Sequence, residues 1–535
     1  MPKLVSLLAI VWTLVGLVMM VIAAPAVPYA DPWRFVAKYL AEPFPGNLLR
    51  VDNGHCEVLP ELVRYLDLMW CNGDQSLQIG AGVVVALVVV AAVCSWARRD
   101  AVGAWWPAAF CVGVFWLGNG RKLAHGNECV PLFLILLLIA TGLRLAGRPV
   151  GGRGLVALVL LGITATFTFG SGIACFVAFG AAMWMRRAER REWLALTAAG
   201  VTTLLTFLAL ASHQVHAGSL ALGDRIVVWL HWLGAPFVSA ASPLLDPVHA
   251  MRQPALVRAV AEPIAGWSQA TFGDSATASY PAVAVGGVGV VWLLWATWRH
   301  RRNGGAELQR LALGIAWFSI AVGVLVAAVR LDYFRQRPDQ IVSARYLPWS
   351  ILLWTGLVMA HVAAPARSAL VRAWSVLTFA LLLLPSQVWN ARAAFRLQQT
   401  AERTALGAAI GVLDVEFQLV ESQLVDVQEA LPLLQQAGLA MFAWPETKLL
   451  GQRVASLRTQ PVSVSDLRLA PAKNWLGADA VRVQFRCEGI DAERLLLVDA
   501  AGIAQGMARV DAADRWLGWL RVGAPAGAVS VVRLQ

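Results

Sequence analysis

LQIGAGVVVALVVVAAVCSWARRD, residues 77–100, decides the fold. Its first 21 residues carry no charge, and about 20 apolar residues cross the roughly 30 Å hydrocarbon core of a bilayer as a helix. Arg98-Arg99 then closes the run, as basic residues close a span on its cytoplasmic side. Comparable runs lie at 4–24, 104–118, 128–146, 154–168, 171–185, 194–212, 281–299, 311–330, 347–364 and 372–389, about eleven spans in all. The first reads as a retained anchor rather than a cleaved signal, because its apolar stretch is long. The pair within 154–185 reads as two short spans hinged at Gly170-Ser171-Gly172.

Composition agrees with that reading. Of 535 residues, 58% are hydrophobic and 14% charged, against roughly 45–50% apolar and 25% charged for a soluble domain. A soluble enzyme, a disordered chain and collagen are excluded, and 7 Cys are too few for a disulfide scaffold. The net charge of +11 does not imply a nucleic-acid partner, because no basic stretch combines with stacking aromatics in a soluble domain.

Placing the charges gives an orientation. With the N-terminus inside, short loops on the inner side hold Arg98-Arg99, Arg144/Arg148/Arg153, Arg186/Arg187/Arg190/Arg191, Arg299/Arg301/Arg302/Arg310 and Arg367/Arg372. Most carboxylates of the membrane region fall on the outer side, in long loops at 25–76, 213–280 and 331–346. The expected architecture is mainly α, a polytopic transmembrane helix bundle over 1–390 with its N-terminus in and C-terminus out. An amphipathic helical segment follows at 391–445, then a small β-rich periplasmic domain at 446–535. Leu406, Ile410, Leu413, Phe417, Val420, Leu424, Val427, Leu431 and Leu434 alternate at spacings of four and three, which predicts a continuous helix ending near Pro432. Strands are expected at 480–485, 494–499, 506–510, 516–522 and 528–534.

The first outer loop concentrates the polar chemistry. WRFVAKYLA (33–41) predicts a helix lying along the membrane, with Trp33 and Tyr39 at headgroup depth. Asp52, His55 and Glu57 follow in DNGHCE, where a carboxylate beside a histidine suits a general base and equally a hydrogen-bonded turn. A second helix over 60–70 returns the chain to the membrane. No metal motif is present, although a divalent metal is compatible with these groups. Cys56 and Cys71 share the loop, as a disulfide or as two free thiols.

DYFRQRPDQIVSARYLPWS (332–350) brings Arg335, Arg337, Arg345 and Tyr346 to an outer boundary, and NGRKLAHGNE adds Arg121, Lys122 and His125. Guanidinium groups there suit phosphate headgroups, either as a specific site or by snorkelling to membrane lipids.

The layout of residues 1–390 resembles the GT-C superfamily of integral-membrane glycosyltransferases. The resemblance rests on many spans, a long first outer loop and an outer C-terminal domain. More narrowly, NGH-x-x-x-x-P-x-L at 53–62, FTFGSGIACF at 167–176, WLGAPF at 232–237 and SARYLPWSILLW at 343–354 resemble segments of uncharacterised bacterial membrane proteins of that type. It implies a polyprenyl-phosphate sugar donor, a glycan or lipid acceptor, and no required cofactor. The bacterial inner membrane is the implied location. Asp52 or Glu57 is the implied base, with Asp31 as competitor, and the basic residues of 335–345 hold the donor phosphate. The chain departs from the family in lacking a paired Asp-Asp or Asp-Glu after its first span. A polymerase or ligase of undecaprenyl-linked glycans, and a non-enzymatic carrier or assembly protein, are the competing expectations.

Overall fold

A computed structural model describes residues 1–49, 51, 55–100, 102–211, 222–272, 280–418, 423–454, 459–512, 514–524 and 529–534. In chain order the first helices are α1 (Pro2–Ile22), α2 (Pro32–Ala41), α3 (Gly46–Leu49), α4 (Val58–Trp70) and α5 (Ser76–Arg99). Then come α6 (Trp105–Val114), α7 (Gly120–Ala124), α8 (Gly126–Ala146), α9 (Gly152–Thr166), α10 (Cys175–Arg186) and α11 (Arg190–Ala211). They are followed by α12 (Leu222–Leu245), α13 (Pro247–Met251), α14 (Ala255–Phe272), α15 (Tyr280–Asn303) and α16 (Glu307–Gln336). The last are α17 (Leu347–Ala363), α18 (Ala369–Leu383), α19 (Pro385–Ala409), α20 (Leu424–Ala437) and α21 (Pro445–Lys448).

Contacts divide the chain into two compact units, and neither is continuous in sequence. The first comprises Met1–Ile22, Leu49–Glu61 and Ile79–Ala394; the second comprises Ala23–Leu48, Leu62–Gln78 and Phe395–Gln535.

The first unit is a helix bundle. Among the described residues, seven helices are long and apolar enough to cross a membrane: α1, α5, α8, α11, α12, α15 and α16. The pair α18–α19, bent by 45°, makes an eighth if it counts as one span. The chain is thus a multi-pass membrane protein in its helical content. The expected runs at 104–118, 154–168, 171–185 and 347–364 form helices too, but each is shorter than 18 residues. The region 154–185 does break where expected, with a 3-10 turn over Gly170–Ala174 between α9 and α10.

One long helix falls where an outer loop is expected. Residues 213–280 contain α12, α13 and α14, and α12 packs against α15, α16 and α17. Asp224, Arg225, His231, Pro236 and Pro243 interrupt its hydropathy and hide it from a simple apolar-run criterion. A neighbouring helix grips the same turn: the Trp354 indole N–H donates to the Leu233 carbonyl at 2.8 Å, next to Trp232, whose carbonyl loses its helical donor at Pro236. Close approach needs small residues here. A Cβ on Gly234 would stand 1.9 Å from the Ala282 carbonyl oxygen, and one on Gly286 would stand 2.0 Å from that of Leu230. The outer loop expected at 331–346 also shrinks, because α16 continues to Gln336 and a 3-10 turn covers Pro338–Val342.

The second unit is built on a seven-stranded antiparallel sheet, ordered β1-β7-β4-β5-β6-β3-β2. Its strands are β1 (Thr459–Pro461), β2 (Ser465–Ala472), β3 (Ala480–Arg486), β4 (Arg494–Val498), β5 (Ala504–Ala512), β6 (Arg515–Leu520) and β7 (Ser530–Leu534). Both faces are covered: along β4, Leu495 and Leu497 enter one core while Leu496 and Val498 enter the other. The strands expected from sequence lie at β3 to β7. Two further strands lie beyond the expected ones: the three-residue edge strand β1, and β2, whose alternating Leu467 and Leu469 remain exposed.

Two expectations are corrected here. The predicted membrane-surface helix is α2, but Trp33 (0% exposed) and Tyr39 (4%) are buried in the core that also holds α20. Amphipathicity has the same period whether the apolar face meets lipid or protein. The predicted continuous helix through 406–434 is instead two helices. α19 ends at Ala409, Gly411 turns the chain at φ +76°, and α20 begins at Leu424. The stripe persists because Leu406, Ile410, Leu413, Val427, Leu431 and Leu434 all bury into the same core. Pro432 does not end α20, which runs on to Ala437 and stops at left-handed Gly438.

Candidate functional site

The candidate site in the first unit assembles between the short helix α6 and the start of α8. α6 is only ten residues long, and Asn119 closes it by donating from its side-chain amide to the carbonyls of Gly113 and Val114. The break is fixed from α19 as well, where Ser386 accepts from the Trp116 indole at 2.9 Å and Gln387 from the Leu117 amide at 2.7 Å. The short α7 then carries Arg121 and Lys122, and α8 starts with Glu128 in its first turn. Both cations converge on that carboxylate: Arg121 Nε lies 3.1 Å from Oε1, and Lys122 pairs with Oε2.

Lys122 is 3% exposed, so its ammonium is held almost dry. Its Nζ stands 4.4 Å from the centroid of Phe169 and 5.9 Å from that of Trp349, a cation over two aromatic faces. The stack continues to His55, whose ring lies 4.6 Å from Phe169 at an interplanar angle of 17°. Gly170 makes room for it, since a Cβ there would stand 2.5 Å from His55 Nδ1. The Val58 amide donates to the Phe167 carbonyl at 2.9 Å, tying the loop that bears His55 and Glu57 to the α9–α10 break. Glu57 is buried at 7% exposure, and its carbonyl accepts the Glu61 amide as α4 begins.

Trp349, in the first turn of α17, extends this stack with its ring centroid 6.0 Å from that of Phe169, and its amide donates to the Tyr346 carbonyl at 3.2 Å. Arg345 donates to the Tyr346 hydroxyl at 2.9 Å and lies over the rings of Tyr346 and Tyr333. Ser319 pins the helix start by donating to the Trp349 carbonyl at 2.7 Å. The result is an aromatic-lined cluster in which the buried Lys122 and the partly exposed Arg121 both meet Glu128.

His125 does not add to that charge. Burial, and then the neighbouring Arg121, push its pKa down to about 3, so it is neutral throughout the physiological range. Below about pH 6.5 the unfolded chain takes up a proton that the folded chain refuses. Stability is therefore expected to fall as pH drops from about 6.5 towards 3. The unfolding temperature of the full chain in detergent, followed from pH 7 to pH 4, should lose part of this slope in His125→Asn. An identical slope in the two proteins would contradict the assignment.

The other predicted residues are placed differently. Asp31 lies in the second unit at the start of α2, 3.6 Å from Arg34. Asp52 lies outside the described residues. Arg335 is exposed and already paired with Asp224 and Asp332, and Arg337 is exposed just past the end of α16. Cys56 and Cys71 are not joined in a disulfide. Asp67, Cys71 and Asp74 are the one group among the described residues with three metal-capable ligand atoms within 4.8 Å. Asp67 has a structural task there: it accepts the amides of Gln75 and Leu77 and the side-chain amide of Gln78, capping α5.

Sequence reasoning singled out the basic pair and the histidine but not Phe169, Trp349 or Glu128 as their partners. Both aromatics stand within FTFGSGIACF and SARYLPWSILLW, and their signal is an aromatic residue next to a helix break. Comparison of the chain with protein-family models, with curated proteins and with solved structures finds no match.

Proposed function

We propose that the protein is a membrane glycosyltransferase that moves a sugar from a polyprenyl-phosphate-linked donor to a glycan or lipid acceptor, at the periplasmic face of a bacterial inner membrane. The observation that carries this reading is the convergence of three distant stretches, 55–58, 120–128 and 167–170, and of Trp349 on one cluster of a buried cation and aromatic rings. Aromatic faces suit the apolar face of a sugar ring, and a preorganised cation suits the phosphate that leaves. The loops on the opposite ends of these helices carry the arginine clusters expected of a cytoplasmic side.

In this reading a carboxylate of the first loop, Glu57 or Asp52, takes the proton of the acceptor hydroxyl. The acceptor oxygen attacks the anomeric carbon as the bond from that carbon to the donor phosphate oxygen breaks. The departing lipid phosphate keeps the bonding pair, and Lys122 with Arg121 and Arg345 offset its charge. No covalent intermediate and no metal is required.

Membranes carrying the full chain, supplied with a panel of radiolabelled polyprenyl-phosphate sugars, provide the test. One of Glu57→Gln and Asp52→Asn should lower transfer at least 100-fold, the loss of a general base. Full transfer by both variants, or none by the parent chain with any donor of the panel, overturns the proposal.

A further inference from the structure

An apolar groove of about 670 Å³ opens on the side of the bundle between α10, α11, α15 and α16. Phe176, Trp193, Leu196 and Trp317 form its walls, and Gly180 and Gly200 keep its floor low. It faces outward: Val177, Val201 and Leu294, at its edges, are each about half exposed. From Ile173 to Trp184 it runs about 17 Å at about 1.5 Å per helical residue. That is close to one leaflet, half of the roughly 30 Å hydrocarbon core.

One end of the groove is cationic. Trp184 lines it there, and the Arg301 guanidinium sits 4.0 Å above that indole ring. Arg187, at the left-handed residue ending α10, donates to the Arg301 carbonyl at 3.4 Å, which brings the two arginines to one spot. The nearby carboxylates are engaged elsewhere, Glu192 with Arg186 and Glu189 with Arg191, both at 2.8 Å. Among the described residues no carboxylate pairs with Arg187 or Arg301.

We propose that this groove is a binding site for an anionic phospholipid, with an acyl chain along α10 and α11 and the headgroup phosphate between Arg187 and Arg301. A hydrocarbon chain matches the length and the apolar walls, and a phosphate matches the two guanidiniums. An anionic headgroup is selected over phosphatidylethanolamine, whose ammonium would be brought up against the same cations. The site is separate from the cluster at Lys122 and does not depend on sugar transfer.

Native mass spectrometry of the detergent-solubilised full chain, titrated with phosphatidylglycerol or phosphatidylethanolamine, tests this directly. Phosphatidylglycerol should bind at least fivefold more tightly. Arg187→Asn with Arg301→Gln should weaken it about 25-fold, taking about fivefold for each cation near a phosphate; asparagine is chosen because it tolerates the left-handed backbone. Ala181→Trp, which fills the groove without touching either arginine, should abolish retention of the lipid. Unfolding temperatures within a few degrees of the parent confirm that both variants fold. Equal binding of the two lipids, or binding that survives either variant in a folded protein, overturns the proposal.

Discussion

Asp414→Ala is expected to destabilise the second unit by about 3–5 kcal/mol, the cost of leaving a buried charge without its partner. The carboxylate is fully buried and accepts from Arg482 Nε at 2.6 Å, Arg482 Nη2 at 2.9 Å and the Trp519 indole at 2.8 Å. It joins the segment after α19 to β3 and β6, and Arg482 also stacks on Phe417. Alanine would leave Arg482, itself 10% exposed, with only the exposed Glu416. Burial pushes the Asp414 pKa up, but the hydrogen bonds from Arg482, Trp519 and the Glu416 amide outweigh it and hold the carboxyl below its usual range. A lowered folded pKa means that this stabilisation is present at neutral pH and is lost as pH falls from about 3.9 through the folded value. Urea titration of the full chain, followed by tryptophan fluorescence, measures the loss. A midpoint within error of the parent would show that the pair contributes nothing.

The second large effect is on transfer. Lys122→Met should lower it about 100- to 1,000-fold, the usual consequence of removing one preorganised donor from a developing anion. A structural role for Lys122 predicts loss too, so the pair must be separated. Glu128→Gln alone leaves a buried ammonium short of its carboxylate and should destabilise the bundle. Lys122→Met with Glu128→Gln removes the buried pair together while Arg121, a quarter exposed, stays in reach of water, and such replacements are often neutral for stability. The double variant should therefore unfold near the parent temperature and still fail to transfer. If it transfers at more than a third of the parental rate, the ammonium has no part in the chemistry.

How much of this was legible in the sequence follows from the range of the forces involved. Apolar spans and alternating strands are local patterns, and the helices at 77–97 and 128–146 or the strands at 480–485 and 494–499 could be read directly. Partners distant in sequence could not. The pairing of Arg335 with Asp224, 111 residues away, has no trace in the sequence. The stripe through 406–434 reads as one helix because both of its halves face one core, and only Gly411 records the turn between them. Trp33 and Tyr39 have a pattern that suits a membrane surface as well as a protein core. The candidate site was half visible: Arg121, Lys122 and His55 stood out in the sequence, whereas Phe169 and Trp349, which surround Lys122, are ordinary apolar residues.

The second unit, finally, imposes an order on synthesis. Its core needs α2, made from the first fifty residues, and the sheet, made from the last eighty or so. A ribosome making some 5–20 residues per second leaves α2 waiting for tens of seconds before β7 exists. During that interval Trp33, Phe35 and Tyr39 have early partners such as Tyr65 and Arg64 but lack the part of their core that α20 and the sheet supply, and a chain cut short after residue 394 would never provide it. Such a fragment would keep its seven long apolar helices and carry a partly uncovered apolar helix, the feature that quality-control proteases and aggregation both act upon.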